Sequence, residues 1–239
     1  AEVATFLVPL MGSIYFGAML IALILNLDLV LPAFKLILVD AFNGTAIAGG
    51  TFFGVLIYGV RRGAFSNEAG MGTESLVHGV AKVSNPVKQG LVAMTGPIFD
   101  TLIICTATAL MILVSGVWET SSSQGVTLTA EAFSILLGNF GGFILFICVI
   151  CFGLSTIFTY SYYGASCSRF LFGNFGMKFY IYLYIFGIFI YSIVPIDIAI
   201  NIADGAFALM AIPTLISALW LAPKVMQASK NYFKLVNNI

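Results

Sequence analysis

The feature that most constrains this chain is its long runs of apolar residues, which only short polar segments interrupt. Of its 239 residues, 60% are hydrophobic and only 8% are charged. A soluble domain typically carries about 25% charged residues, so this chain has too little charge to cover a surface in water. Most of its surface must therefore face a lipid bilayer. The formal net charge of zero argues against a nucleic-acid partner.

The apolar runs are long enough to predict membrane-spanning helices. A helix needs about 20 mainly apolar residues to cross the hydrocarbon core. We assign spans at residues 3–26, 46–59, 90–117, 132–163, 177–196 and 198–221, and an interfacial helix on the outer face at 28–42. Backbone groups in lipid need internal partners, which favours helices, and the short alternating strands of a membrane barrel are missing. The prediction is an all-α, polytopic helical membrane protein with about six transmembrane helices.

Lysine and arginine predict the orientation, because cytoplasmic loops are enriched in them. They occur between spans two and three, between spans four and five, and after span six. The segment between spans three and four contains none, and Lys35 is the one exception in an outer loop. We therefore expect an integral membrane protein of the cell (plasma) membrane whose C-terminus is cytoplasmic.

Span two is short and interrupted by adjacent glycines, Gly49 and Gly50. Small residues in membrane helices commonly serve close helix packing. Short glycine-interrupted spans also indicate discontinuous helices, whose free N–H groups can bind a carboxylate. On this second interpretation Thr51, Phe52 and Phe53 border a bound ligand, and the two phenylalanine rings leave room for a small side chain only.

Span four contains hydroxyl side chains at Ser155 and Thr156. Such hydroxyls usually donate to a carbonyl one turn back in the same helix. The alternative is a sodium site, because a hard cation prefers oxygen ligands and hydroxyls with backbone carbonyls supply them.

Two acidic residues lie inside predicted spans, Asp100 in span three and Asp204 in span six. Ionisable groups in a membrane are costly and indicate function by default. Each has either a structural hydrogen-bonding role or a transport role such as pairing or proton transfer. Asp204 is predicted nearer the outer face. The single histidine, His78, excludes an HExxH zinc site, and no GxSxG or Walker motif is present.

The segment GVRRGAFSNEAGMG resembles the signature of the alanine/glycine:cation symporter family, or sodium:alanine symporters. Further segments resemble the family as well, including NPVKQGLVAMTGPIFD, STIFTYSYYG and ADGAFALMAIP, so the resemblance covers nearly the whole chain. Thr214 departs from it, because the family commonly has Asn after the proline. The resemblance implies a LeuT-like inverted-repeat fold, in which these spans are core helices five to ten.

The resemblance also implies a function and a set of partners. The expected activity is sodium-coupled symport of alanine or glycine by alternating access, with Na⁺ as the coupling ion and no other cofactor. Tyr160 joins the substrate residues, Ser155 and Thr156 hold sodium, and a last set forms the gate or supports the structure: Arg61, Arg62, Asn67, Glu68, Asp100 and Asp204. The two arginines are expected at the cytoplasmic end of span two.

The chain begins AEVATF without an initiator methionine, and we expect a single transmembrane domain over residues 1–239 of a larger, prokaryotic transporter whose N-terminal helices are missing. Those helices would be its partners, together with the amino acid, Na⁺ and lipid. The alternative activities are proton-coupled transport, a channel and an intramembrane enzyme. The lack of paired catalytic residues counts against the enzyme.

Overall fold

The computed structural model describes residues 2–41 and 51–237, and within these ranges the secondary structure is helical, with no strand. The helices, in chain order, are α1 (Glu2–Leu25), α2 (Leu27–Ala41), α3 (Thr51–Asn67), α4 (Thr73–His78), α5 (Pro86–Ile98), α6 (Thr106–Ser115), α7 (Val117–Thr120), α8 (Val126–Leu137), α9 (Asn139–Ile193) and α10 (Ile196–Asn237). A π-helix, Phe99–Cys105, joins α5 to α6. The prediction of an all-helical protein is confirmed for the described part of the chain.

Among the described residues, four helical stretches are long and apolar enough to cross a membrane: Leu7–Leu25, Pro86–Ser115, Asn139–Ile193 and Ile198–Val236. The first two contain most of predicted spans one and three, the third contains most of spans four and five, and the fourth contains span six. A continuous helix of 55 residues would be about 80 Å long, more than twice the hydrocarbon thickness of about 30 Å. The stretch is not continuous, because Gly173 has φ 68° and ψ −158°.

The helices differ in their limits from two of the predicted spans. Span two was predicted to end at Gly59, and α3 continues to Asn67, because a single glycine in a helix costs only about 1 kcal/mol. Span four was predicted over 132–163, but α8 ends at Leu137 and α9 begins at Asn139. Between them Gly138 has φ 67° and ψ −164°, which interrupts the helix.

The π-helix Phe99–Cys105 was not predicted. Pro97 lies at the end of α5, and a proline inside a helix removes one backbone donor and displaces the preceding carbonyl. A local change of hydrogen-bond register is one way to accommodate that disruption, and π-helical turns often occur at functional positions. Asp100, one of the predicted functional residues, lies in this segment.

The chain forms two compact units. The first contains Ala1–Gly59 and Asp100–Tyr160, and the second contains Val60–Phe99 and Ser161–Ile239. The core of the first unit is built from α1, α6 and α8, with fully buried Met19, Met111 and Phe133. Tyr15 anchors it: its ring stacks on Phe133, and its hydroxyl lies 3.0 Å from the Thr108 hydroxyl.

Candidate functional site

The predicted substrate site is only partly described by the structure. Gly49 and Gly50 lie outside the described residues. Thr51, Phe52 and Phe53 form the first turn of α3, and their side chains are also outside the described part. Tyr160 is partly buried in α9, within the same compact unit as Thr51. The arrangement of these residues around a ligand therefore stays a prediction.

The two predicted sodium ligands differ in their surroundings. Ser155 is buried, with 6% of its surface exposed, and its hydroxyl donates to the Phe152 carbonyl at 2.9 Å. This is the local bond expected of a helical serine, and it leaves the oxygen lone pairs of Ser155 available to accept. Thr156 is exposed, because neighbouring residues on a helix point about 100° apart. Within the described atoms the hydroxyl that follows Ser155 by one turn is that of Thr159, which donates to the Ser155 carbonyl at 2.8 Å.

The structure brings three of the predicted gate residues into one charged cluster. Arg61 Nη1 lies 3.6 Å from Asp204 Oδ2, and Arg62 Nη1 lies 3.7 Å from Asp204 Oδ1. The Asp204 side chain is only 12% exposed, whereas those of Arg61 and Arg62 are 52% and 40% exposed. A carboxylate this buried needs a cationic partner, which the two arginines supply. We call this group the Arg–Asp cluster.

Two further contacts join α3 and the turn after it to α10. The rings of Phe65 and Phe207 are 5.0 Å apart at their centroids. The backbone at Gly72 approaches Thr214 so closely that a Cβ atom on Gly72 would lie 2.7 Å from Thr214 Oγ1. Like Arg62 and Asp204, the members of each pair are 142 residues apart in the sequence. The segment Arg62–Gly72 therefore runs in the same direction as the matching part of α10.

This register shows that two of the predicted depths are incompatible. Arg61 and Arg62 were expected at the cytoplasmic end of span two, and Asp204 was expected nearer the outer face. Since the arginine and carboxylate atoms lie within 4 Å, they share one depth, and at least one of the two predictions is wrong. The arginines also belong to the body of α3 and do not follow its end. Sequence reasoning missed the pairing because it treated the charges one by one.

The remaining predicted gate residues lie at the end of α3, directly after it and in the π-helix: Asn67, Glu68 and Asp100. α3 ends at Asn67, and Glu68 adopts a positive φ of 54°, which is uncommon for a residue other than glycine. Asn67, Glu68 and Asp100 are all partly buried. Asn67 and Glu68 lie in the second unit, whereas Asp100 begins the second segment of the first.

A cleft of about 520 Å³ lies between α7 and α8, in and next to the segment predicted as an outer loop. Its single carboxylate is Glu131, which accepts a hydrogen bond from the Ser123 hydroxyl. Hydrogen bonds from Ser123 and then Ser121 hold the pKa of Glu131 below its usual value. The carboxylate therefore stays ionised, because both hydroxyls stabilise its charged form.

No group of three or more His, Cys, Asp or Glu residues within residues 2–41 and 51–237 could hold a metal ion. The four cysteines, Cys105, Cys148, Cys151 and Cys167, form no disulfide.

Comparison with known proteins gives consistent results. A sequence model of the family described as "Sodium:alanine symporter family" matches residues 1–238. The chain is similar to the sodium/alanine symporter AgcS of Methanococcus maripaludis, with 35% identity over 97% of this chain and 52% of the relative. It is also similar to the probable sodium/glutamine symporter GlnT of Bacillus subtilis, with 33% identity over 97% of this chain and 49% of the relative. A sodium/proton-dependent alanine carrier protein of Bacillus sp. (strain PS3) is 31% identical over 68% of this chain and 40% of the relative.

The chain spans about half the length of the curated relatives it matches. The resemblance inferred from the FSNEAG segment and its neighbours is confirmed, and the matched descriptions are of transporters, not of enzymes. With several helices long enough to cross a bilayer and a family match over nearly every residue, the chain belongs to the sodium:alanine symporter family.

Proposed function

We propose that the complete protein is a sodium-coupled symporter of small neutral amino acids, alanine or glycine, working by alternating access. The observation that carries the proposal is the family match over residues 1–238. Two of the matched relatives are named as sodium symporters of alanine and glutamine, and both substrates are neutral amino acids. The adjacent Gly49 and Gly50 of predicted span two favour a small substrate, because Phe52 and Phe53 follow them closely in the sequence.

The proposed architecture is a LeuT-like inverted repeat in which this chain supplies core helices five to ten. The parallel contacts of α3 and α10 support it, because two spans that run in the same direction must be separated by an odd number of crossings. Three predicted spans lie between them. Since spans two and six run in the same direction, both end on the same side of the membrane. The lysines at the end of α10 favour the cytoplasmic side, which agrees with a cytoplasmic C-terminus. The helices missing from this chain would complete the site, with the bilayer of a prokaryotic plasma membrane around them.

Within this transporter Ser155 and Thr156 are proposed to contribute to sodium binding, and the residues from Gly49 to Phe53 to substrate binding, with Tyr160. The buried Ser155 hydroxyl supports the first assignment, because its donor is already used in the helix and its oxygen remains able to coordinate a cation. Glu68 and Asn67 are proposed as part of the inner gate. If Glu68→Gln changed neither transport rate nor the labelling of cytoplasmic cysteines, the gate role of Glu68 would be abandoned.

The test is uptake of radiolabelled alanine by the complete protein in liposomes. We expect accumulation with an inward sodium gradient and none when potassium replaces sodium on both sides. Competition by unlabelled glycine, glutamine and D-alanine at equal concentration would define the substrate. Uptake that persists without sodium and with no proton gradient would refute the proposal, and a flux that does not saturate would point to a channel.

Proton coupling is the second candidate. A relative that matches 68% of this chain is named as a sodium/proton-dependent alanine carrier, and Asp100 and Asp204 are acidic residues in or next to membrane-length helices. Uptake driven by an inward proton gradient in sodium-free buffer would favour this mechanism. Asp100→Asn and Asp204→Asn should then abolish the proton dependence separately.

A further inference from the structure

The Arg–Asp cluster has an unusual composition: two consecutive arginines share one carboxylate. Each arginine approaches a different oxygen of Asp204, at the nearly equal distances of 3.6 and 3.7 Å. Both distances exceed the 2.7–2.9 Å or so of a direct charge-assisted hydrogen bond. The carboxylate therefore lies between two guanidinium groups and is bound tightly by neither.

Helix geometry gives this arrangement a mechanical meaning. Successive residues of an α-helix point about 100° apart. Turning α3 about its axis in one direction would bring Arg61 closer to Asp204 and move Arg62 away, and turning it in the other direction would do the opposite. The observed position is intermediate between these two limits.

Two neighbouring contacts fix the position of α3 along α10. The Phe65–Phe207 ring contact and the approach of Gly72 to Thr214 hold α3 and its following turn at a fixed height along α10. A shift of α3 along its axis would break both contacts. A rotation about the axis also moves Phe65, which belongs to the same helix as the arginines, so only a small rotation keeps its ring against Phe207. A small rotation is therefore compatible with these two contacts.

We propose that Asp204 is a positioning residue that guides a rotation of α3 during transport, exchanging Arg61 for Arg62 as its closer partner. An unpaired carboxylate in the membrane would be costly, and the second arginine ensures that Asp204 keeps a cationic partner at every stage of the motion. A single arginine would fix α3 in one orientation. This inference rests on the proposed function, since alternating access is what requires α3 to move.

The experiment measures the orientation of α3 directly, in the complete protein with its native cysteines replaced. Spin labels at Val60→Cys and Leu209→Cys, both on exposed positions of the second unit, report the distance between α3 and α10. We expect Arg61→Gln and Arg62→Gln to shift the mean distance in opposite directions, by a few ångström, because α3 is about 10 Å wide with its side chains. Opposite shifts distinguish guided rotation from a merely structural ion pair.

Transport provides the second measurement. Each arginine variant should lower the maximal rate of uptake about tenfold, while the KM for alanine changes less than about threefold, because a motion is impaired and binding is not. Arg169→Gln, an exposed arginine of α9, is the matched control and should change neither quantity. The double variant Arg61→Asp with Asp204→Arg keeps two bases and one acid, and should recover part of the rate lost in Asp204→Arg alone.

The outcomes separate the two hypotheses. If the parent protein shows no sodium-dependent uptake, the proposed function fails, but the distance measurement still tests the rotation. If the parent transports and the two glutamine variants shift the distance in the same direction, or leave it unchanged, the rotation is refuted. Asp204→Glu retains the charge, so this variant should fold and should keep the mean distance of the parent protein.

Discussion

The contact of Gly72 with Thr214 allows a quantitative prediction for Gly72→Ala. Gly72 has φ 94°, and a side chain in the left-handed region costs about 1–2 kcal/mol. The new Cβ would also lie 2.7 Å from Thr214 Oγ1, so the Thr214 side chain or the backbone at residue 72 must shift. Overpacking of this kind costs about 1–3 kcal/mol. The two effects together should destabilise the protein by about 2–5 kcal/mol.

Gly70→Ala is the matched control. Gly70 has a similar φ of 77°, but no atom lies within 4 Å of the position that a Cβ would occupy there, so only the backbone strain of about 1–2 kcal/mol applies. At roughly 2 °C per kcal/mol for a chain of more than 200 residues, Gly72→Ala should lower the unfolding midpoint by about 4–10 °C and Gly70→Ala by about 2–4 °C.

The assay is scanning fluorimetry of the complete protein in detergent, and a double variant isolates the steric part. Adding Thr214→Ala removes the hydroxyl that the new methyl group would meet, so Gly72→Ala with Thr214→Ala should be no less stable than Gly70→Ala. Equal effects of Gly72→Ala and Gly70→Ala would refute the close approach, as would a double variant with no recovery.

Three more predictions concern single hydroxyl groups. Ser155→Ala should raise the sodium concentration for half-maximal uptake about fivefold, the effect of one lost ligand, and Thr156→Ala should raise it less. Ser192 is the control, because its hydroxyl makes the same local bond at an exposed position. An equal rise in Ser192→Ala would exclude a specific role of Ser155. Ser123→Ala should raise the pKa of Glu131 towards 4.5, followed by carboxyl carbon NMR, and Ser134→Ala should not. Folding lowers the pKa of Glu131, so the ionised carboxylate stabilises the folded protein at pH above the pKa of the unfolded chain. This stabilisation is lost as the pH falls through the pKa of the folded protein. Tyr15→Phe should lower stability by about 1 kcal/mol through loss of the bond to Thr108, and a similar loss in the exposed Tyr182→Phe would contradict this.

The sequence was sufficient to predict the elements that depend on composition alone. The first span was predicted at 3–26, and α1 covers Glu2–Leu25, because an uninterrupted apolar run of that length has few other options in a bilayer. The helix at 28–42 was also predicted, and α2 covers Leu27–Ala41. Its position at the membrane interface stays a prediction.

The breaks between helices were harder to predict, because they depend on backbone conformation. The chain has 24 glycines, and most of those described continue a helix, whereas Gly138 and Gly173 interrupt one. The residue type is identical at both kinds of position, and only the surrounding packing decides which φ value is adopted. The π-helix after Pro97 was not predicted either, because a proline does not by itself specify which hydrogen-bond register follows it.

The candidate site shows the same division between local and distant effects. Arg61, Arg62 and Asp204 were each identified as functional candidates, because charges in apolar spans are costly. Their pairing joins residues 142 or 143 positions apart, and no local pattern specifies it. Ser155 and Thr156 are neighbours in the sequence, but the helix directs one inward and the other outward.

The common offset of 142 residues between contacting partners has a consequence for building chimeras from members of this family. Deleting one residue between Arg62 and Gly72 would destroy this common offset, so the contacts to Asp204, Phe207 and Thr214 could no longer all form together. Length changes in the loops between the two segments would leave it intact. Recombinants should therefore inherit both segments from the same parent, even though they lie at distant points of the gene.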